Sequence, residues 1–157
     1  VTEIYLIKHA DGAFRPALEA DVEAMRRFKV GKPVKVEMKE VRNWAFLKKT
    51  MVLFREAYDF FCEHNLSEKT YKGQKVIPDF TRFRKDLIIL AGHYKATFDI
   101  RGNIRLQAKS LSYANCSQEQ SERIYQDVIT AAMANVYRTA LTEEQLRAHI
   151  DSLLHFT

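Results

Sequence analysis

An α+β fold is what this sequence predicts, and three observations predict it. Residues 2–8, TEIYLIK, are rich in β-branched and aromatic side chains and run out at Asp11 and Gly12, which is strand followed by turn chemistry. Residues 35–54, KVEMKEVRNWAFLKKTMVLF, alternate apolar and charged as far as Lys39; after Arg42 their apolar residues recur every three or four positions. A strand therefore runs straight into a helix. Lastly, Ser117 with Gln120 and Thr142 with Gln145 have the Ser/Thr-x-x-Gln spacing that satisfies the orphan N–H groups at a helix start.

The elements follow in order. After the strand at 2–8, PALEADVEAMRRF reads as a short amphipathic helix, with Pro16 near its start, acids in its early turns, and Leu18, Val22 and Met25 on one face. VGKP breaks it. VKVEMK (34–39) is expected as a half-buried strand with Val34, Val36 and Met38 inward. A long helix over about 42–64 follows, its stripe formed by Trp44, Leu47, Met51, Phe54, Tyr58 and Phe61. NLSEKTYKGQK (65–75) is expected to be a polar connection. Asp79 is placed to cap a helix that stops at Gly92. The clearest hairpin lies near 94–114, turning at Gly102 and Asn103, with Phe98, Ile100, Ile104, Leu106 and Ala108 expected on the buried side and Lys95, Arg105 and Lys109 on the exposed side. The capping boxes then open two C-terminal helices. The prediction is one small antiparallel or mixed sheet of about four strands, packed with about five helices.

A chain of 157 residues with five Gly, three Pro and no internal repeat is read as a single domain, 1–157. Two cysteines, Cys62 and Cys116, and a charged N-terminal stretch lead us to expect a soluble cytoplasmic protein with free thiols and no membrane span. The formal charge of +5 is unevenly distributed. Residues 26–49 carry nine basic residues against Glu37 and Glu40, a net of +7; residues 116–157 carry three against six acids, a net of −3. A basic stripe suits a polyanion, because neutralised phosphates release condensed counterions. It also suits a solvated surface that keeps a protein dispersed.

The residues point away from catalysis and from any cofactor. There is no Gly-rich phosphate loop, nucleophile elbow or His-Glu-x-x-His pair. Cys62, His64, His93 and Cys116 are zinc-ligand types, but their spacing matches no compact zinc module. Glu37 and Lys39, with Asp11 or Asp21 upstream, sketch a Mg²⁺-dependent nuclease; the same two residues fit the solvent face of any half-exposed strand. For nucleic acid, the useful pairing is a cation beside an aromatic ring on which a base can stack. Candidate rings are Trp44 and Phe46 beside Asn43, Tyr71 in the basic connection, and Phe80 and Phe83 beside Arg82 and Arg84. Trp44 begins an apolar stripe and is read as core. Tyr71 lies among polar residues and is the better platform.

The stretches KSLSYANCSQEQSERIYQDVI and GKPVKVEMKEVRNWAFLKKTMVLF resemble those of a family of lambdoid phage and prophage proteins, across nearly the whole chain. Cys116 departs from the Met expected there. More distantly, the Arg42-Asn43 pair opening a long helix and the hairpin-then-helix order are similar to the NinB (Orf) recombination mediators. The resemblance implies a non-enzymatic homodimer that engages single-stranded DNA and helps load or replace proteins on it. The expected nucleic-acid surface is Lys35, Lys39, Arg42, Asn43, Lys48, Lys49, Tyr71, Lys72, Arg82, Arg105 and Lys109, without metal or cofactor. Arg42 and Asn43 would sit at a helix N-terminus, where backbone N–H groups already favour anions. The alternative is a phage inhibitor that blocks a host nuclease or defence protein, presenting Glu119, Glu122, Glu143, Glu144 and Asp151 on its acidic helices.

Overall fold

The computed structural model describes residues 3–38, 43–65, 68–111 and 117–155. The fold is α+β, with helices and short antiparallel hairpins, and the chain divides into two compact units, Val1–Lys39 and Glu40–Thr157.

In the first unit, β1 (Leu6–Lys8) pairs antiparallel with β2 (Phe14–Pro16). The intervening turn closes through His9 N–H to the Ala13 carbonyl at 2.9 Å, with the Asp11 carboxylate accepting from Ala13 N–H at 3.0 Å and holding Arg15 at 2.6 Å. Helix α1 (Glu19–Arg26) starts later than the sequence suggested. Pro16 ends a strand rather than opening a helix, and the buried Asp21 carboxylate turns back to accept the Leu18 N–H at 3.2 Å. Burial pushes that carboxyl above its ordinary range.

The expected strand at 34–39 does not form across its described part. Residues 34–38 join no β-ladder among the described residues, and Val34, Val36 and Met38 are exposed instead of inward. Alternation creates a face, but a strand also needs a neighbour to take its N–H and C=O groups. Lys35 accordingly lies outside the described strands.

The second unit is built around α2 (Trp44–His64), α3 (Phe80–Leu90), α4 (Gln118–Ala132) and α5 (Glu143–His155). Their starts obey local chemistry. Asn43 accepts from Phe46 N–H at 3.1 Å and Asp79 from Arg82 N–H at 2.7 Å. Ser117 with Gln120 and Thr142 with Gln145 close reciprocal capping boxes. Helix α3 stops at Gly92, whose φ of +88° lets its N–H reach the Ile89 carbonyl while His93 N–H reaches Ile88. Helix α4 continues into a π-helical turn, Met133–Tyr137.

The core joins all four helices: Leu53, Phe54 and Ala57 of α2, Leu87 and Ile88 of α3, Val128, Ile129 and Ala132 of α4, and Leu146 and Ile150 of α5. The buried side of α2 is Phe46, Leu47, Thr50, Leu53, Phe54 and Ala57, so the expected stripe is displaced. Met51, Tyr58 and Phe61 lie only half-buried.

The sheet differs most from expectation. Among the described residues there is no four-stranded sheet; each strand pairs only with its hairpin partner. The connection at 65–75 contains a hairpin, β3 (Lys69–Tyr71) with β4 (Gln74–Val76). The later hairpin, β5 (Tyr94–Phe98) with β6 (Ile104–Ala108), keeps the expected pairing, but its apolar side is bare. Phe98, Ile104 and Leu106 are exposed, Ala108 is half-buried, and Ile100 belongs to the turn. Helix α3 contacts β6.

Candidate nucleic-acid interface

Of the residues expected to form a basic surface on and around α2, Asn43 and Lys49 have other commitments. Asn43 spends its oxygen on the cap and donates from Nδ2 to the Ser121 hydroxyl at 3.1 Å and the Gln118 carbonyl at 3.5 Å, fastening the start of α2 to α4. Lys49 sits 4.5 Å over the Tyr125 ring and 3.7 Å from Asp151 of α5. Arg147 approaches the same ring at 5.6 Å and is held by Glu143 at 2.9 Å and by Gln126. Among the described residues the buried Tyr125 hydroxyl has no hydrogen-bond partner, and burial pushes its pKa up to about 12. Lys48 lies half-buried beside Lys49. Lys39 and Arg42 lie outside the described residues.

The ring candidates sort themselves by burial. Phe46 belongs to the core. Phe80 and Phe83 each meet Tyr58 edge-on at 5.4 Å, Arg55 lies over Phe80 at 4.3 Å, and Phe83 also meets Phe61 at 5.3 Å. Trp44 is half-buried. Tyr71 is the ring left open, 68% exposed.

Its setting is the β3–β4 hairpin. Lys72 and Gly73 take φ of +49° and +77°, the two successive positive values of a type I′ turn, whose twist matches that of the flanking strands. Side chains alternate across the hairpin, so the register of Lys69 with Val76 and Tyr71 with Gln74 puts Lys69 and Tyr71 on one face. Lys72 at the turn brings its ammonium within 5.5 Å of the Tyr71 ring centre. On the opposite face Lys75 pairs with Glu68 at 2.8 Å. The arrangement is an exposed aromatic plane flanked by two cations on a two-residue turn. Lys69 was missed from sequence; its spacing of two from Tyr71 becomes a signal only once the segment is read as a strand.

The remaining expected residues are dispersed. Arg82 on α3 pairs with Asp86 at 3.0 Å. Arg105 on β6 pairs with Asp99 at 3.1 Å, and Lys109 follows β6 in an exposed position. Lys35 belongs to the first unit. The structure brings Tyr71 and Lys72 together and places Lys48 and Lys49 side by side on α2.

The histidines of the zinc set are engaged elsewhere, and Lys39 of the nuclease set lies outside the described residues. His64 stacks on Phe60 at 3.8 Å and bonds its carbonyl, while His93 pairs with Asp127 at 2.9 Å. Cys116 lies outside the described residues. Among the described residues no three His, Cys, Asp or Glu side chains converge as a metal site. No described helix is long and apolar enough to cross a membrane.

A family model described as "Protein of unknown function (DUF1367)" matches residues 1–65 and 63–156, so the chain belongs to that family. No curated protein and no solved structure matches it.

Proposed function

We propose that this member of the DUF1367 family binds single-stranded nucleic acid, DNA in preference to RNA, through the tip of the β3–β4 hairpin. It acts without catalysis, as a phage-encoded recombination or replication mediator in the cytoplasm of the bacterial host. The observation that carries the reading is the exposed Tyr71 ring with Lys69 on its face and Lys72 within 5.5 Å. A base stacks on such a ring whatever its identity, and the two ammonium groups meet the phosphates on either side. Stacking on one ring contributes ~1–3 kcal/mol per base. The resemblance to lambdoid phage proteins and to NinB supports the same function, and the net positive charge assists encounter.

The test is fluorescence anisotropy with labelled single- and double-stranded oligonucleotides at several salt concentrations. Single strands are expected to bind more tightly and to remain intact with Mg²⁺ present. Tyr71→Ala is expected to weaken binding by ~5–150-fold, while Tyr71→Phe retains it, because the ring and not the hydroxyl stacks. Replacing Lys69 and Lys72 with Gln lowers the slope of log affinity against log salt by about 0.7 for each lysine that contacts a phosphate. Equal affinity for Tyr71→Ala and the parent protein would sink the hairpin reading; cleavage in Mg²⁺ would replace it with a nuclease.

A further inference from the structure

The side of the β3–β4 hairpin that carries Tyr71 also carries an amide. The register pairs Tyr71 with Gln74 and Lys69 with Val76, so these four side chains leave the ribbon on one face. Directly opposed residues of an antiparallel pair have Cβ atoms about 4.5–5.5 Å apart, which sets the exposed Gln74 side chain beside the open Tyr71 ring. The turn at Lys72 and Gly73, both with positive φ, fixes that pairing. A slip of one residue would carry Gln74 to the opposite face, which Thr70 and Lys75 occupy.

The amide of Gln74 also differs from those of the other glutamines in what it is bonded to. Gln120 and Gln145 close capping boxes, Gln118 donates to Glu122 at 3.0 Å, and Gln126 donates to Glu143 at 3.1 Å. Gln74 makes no side-chain hydrogen bond among the described residues and is exposed. Gln107 on β6 is exposed too, but it shares its face with Lys95, Thr97 and Arg105 and with no ring. Gln74 therefore combines an available donor and acceptor with an open aromatic plane beside it.

A primary amide presents an acceptor and donors in one plane. Adenine meets that pattern on two edges, with N6–H beside N1 and again beside N7, whereas each pyrimidine meets it on its Watson–Crick edge only. The second edge of guanine, O6 and N7, is all acceptor and suits an ammonium instead. We propose that Gln74 selects the stacked base: its amide hydrogen-bonds the edge of an adenine seated on Tyr71, so that the hairpin tip prefers adenine to the other bases. The inference rests on the nucleic-acid reading of this hairpin and adds a base preference to it. Stacking does not supply that preference, because every base has a π-face, and Lys69 and Lys72 are donors with no acceptor, fitted to phosphate oxygens.

The test is anisotropy at low salt with the full chain and short labelled dT strands whose central base is adenine, guanine, cytosine or thymine. The parent protein is expected to bind the central-adenine strand about 5-fold or more tightly than either pyrimidine strand. Gln74→Ala is expected to abolish that ratio while keeping the affinity for the pyrimidine strands, which also shows that the hairpin is intact. Gln74→Glu, an acceptor that suits the cytosine N4 donor, is expected to move the ratio from adenine toward cytosine, whatever its charge does to affinity as a whole. Equal affinity of the parent for all the strands, a preference for another base, or an adenine preference that survives Gln74→Ala overturns the inference and leaves the hairpin reading in place. No binding to any strand, or binding indifferent to Tyr71→Ala, overturns the hairpin reading itself and this inference with it.

Discussion

Replacing Asn43 with Ala removes two kinds of interaction that the structure keeps separate. The first is the cap: the Asn43 Oδ1 accepts the Phe46 N–H at 3.1 Å, and losing such a cap typically costs ~1 kcal/mol, with a range of about 0.5–2. The second is the fastening of α2 to α4 through Nδ2 and the Ser121 hydroxyl at 3.1 Å. Ser121 is buried, so its hydroxyl loses that donor where water does not replace it, a cost of about 1–3 kcal/mol. Together the expected loss is about 2–4 kcal/mol, a large share of the 5–15 kcal/mol by which a domain is ordinarily stable. Asn43→Asp divides the sum. It keeps the accepting oxygen, adds a negative charge at the positive end of α2, and loses only the donor; its cost is expected to be about half that of Ala. The assay is urea unfolding followed by circular dichroism at the helix band. An Ala variant within ~0.5 kcal/mol of the parent, the range of an ordinary surface substitution, would refute this account of Asn43. The same variant tests the sequence expectation that Asn43 contacts nucleic acid. Both of its polar atoms are engaged internally, so single-strand affinity measured on the folded variant is expected to be unchanged.

Two further predictions concern titration. Asp99 accepts the backbone N–H groups of Arg101 and Asn103 at 2.9 Å each and pairs with Arg105, which holds its carboxyl below the ordinary value of 3.8. Its contribution to the β5–β6 turn is therefore complete above pH 3.8 and is lost as pH falls through the depressed folded value. Amide chemical shifts of Arg101 and Asn103 followed by NMR should move in that acid window and stay fixed in Asp99→Asn; movement centred near neutrality would contradict the assignment. Tyr125 behaves in the opposite sense. Its neutral form is favoured in the fold, so stability is unaffected below pH 10 and falls as pH rises from 10 through about 12. Because the hydroxyl has no partner among the described residues, Tyr125→Phe is expected to be neutral or stabilising by up to about 1 kcal/mol. A loss of more than ~1 kcal/mol in urea unfolding would mean that the hydroxyl is bonded.

The helices were legible because their signals are local. Asp79, Ser117 and Thr142 each cap the helix that follows, as read, and Gly92 stops α3, all within a few residues of sequence; the cap at Asn43 was read instead as a nucleic-acid contact. The strands were not, because a strand is a relation between segments. Val34, Val36 and Met38 alternate as a strand should, yet the alternation names no partner, and the segment joins no β-ladder among the described residues. Conversely, residues 69–76 pair as a hairpin with strands of three residues each, too short for a periodic pattern, around a Lys-Gly turn in place of the more familiar Asn-Gly. On β5 and β6 the sequence placed Phe98, Ile104, Leu106 and Ala108 on one face, though Ile100 belongs to the turn, and coverage of that face depends on where the helices lie. The stripe on α2 was displaced for a related reason. Helices α3, α4 and α5 all pack on α2, so its buried surface is broad enough to take in Thr50 and Ala57, which a hydrophobic pattern passes over.

The charge asymmetry acquires a different meaning once the helices are packed. The basic block near the start of α2 and the acidic block of the C-terminal helices meet at one described pair within the second unit, Lys49 with Asp151 at 3.7 Å. Such a half-exposed pair contributes only ~0–1 kcal/mol to stability, but it neutralises a side chain that a phosphate backbone would otherwise recruit. A polyanion approaching Lys49 must displace Asp151 and draw the ammonium off the Tyr125 ring. Lys69 and Lys72, beside an open ring on a projecting turn, carry no such internal competitor among the described residues. Net charge by itself names no place of contact. For the proposed nucleic-acid binding, the open Tyr71 ring with the Lys72 ammonium beside it favours the β3–β4 hairpin over the start of α2.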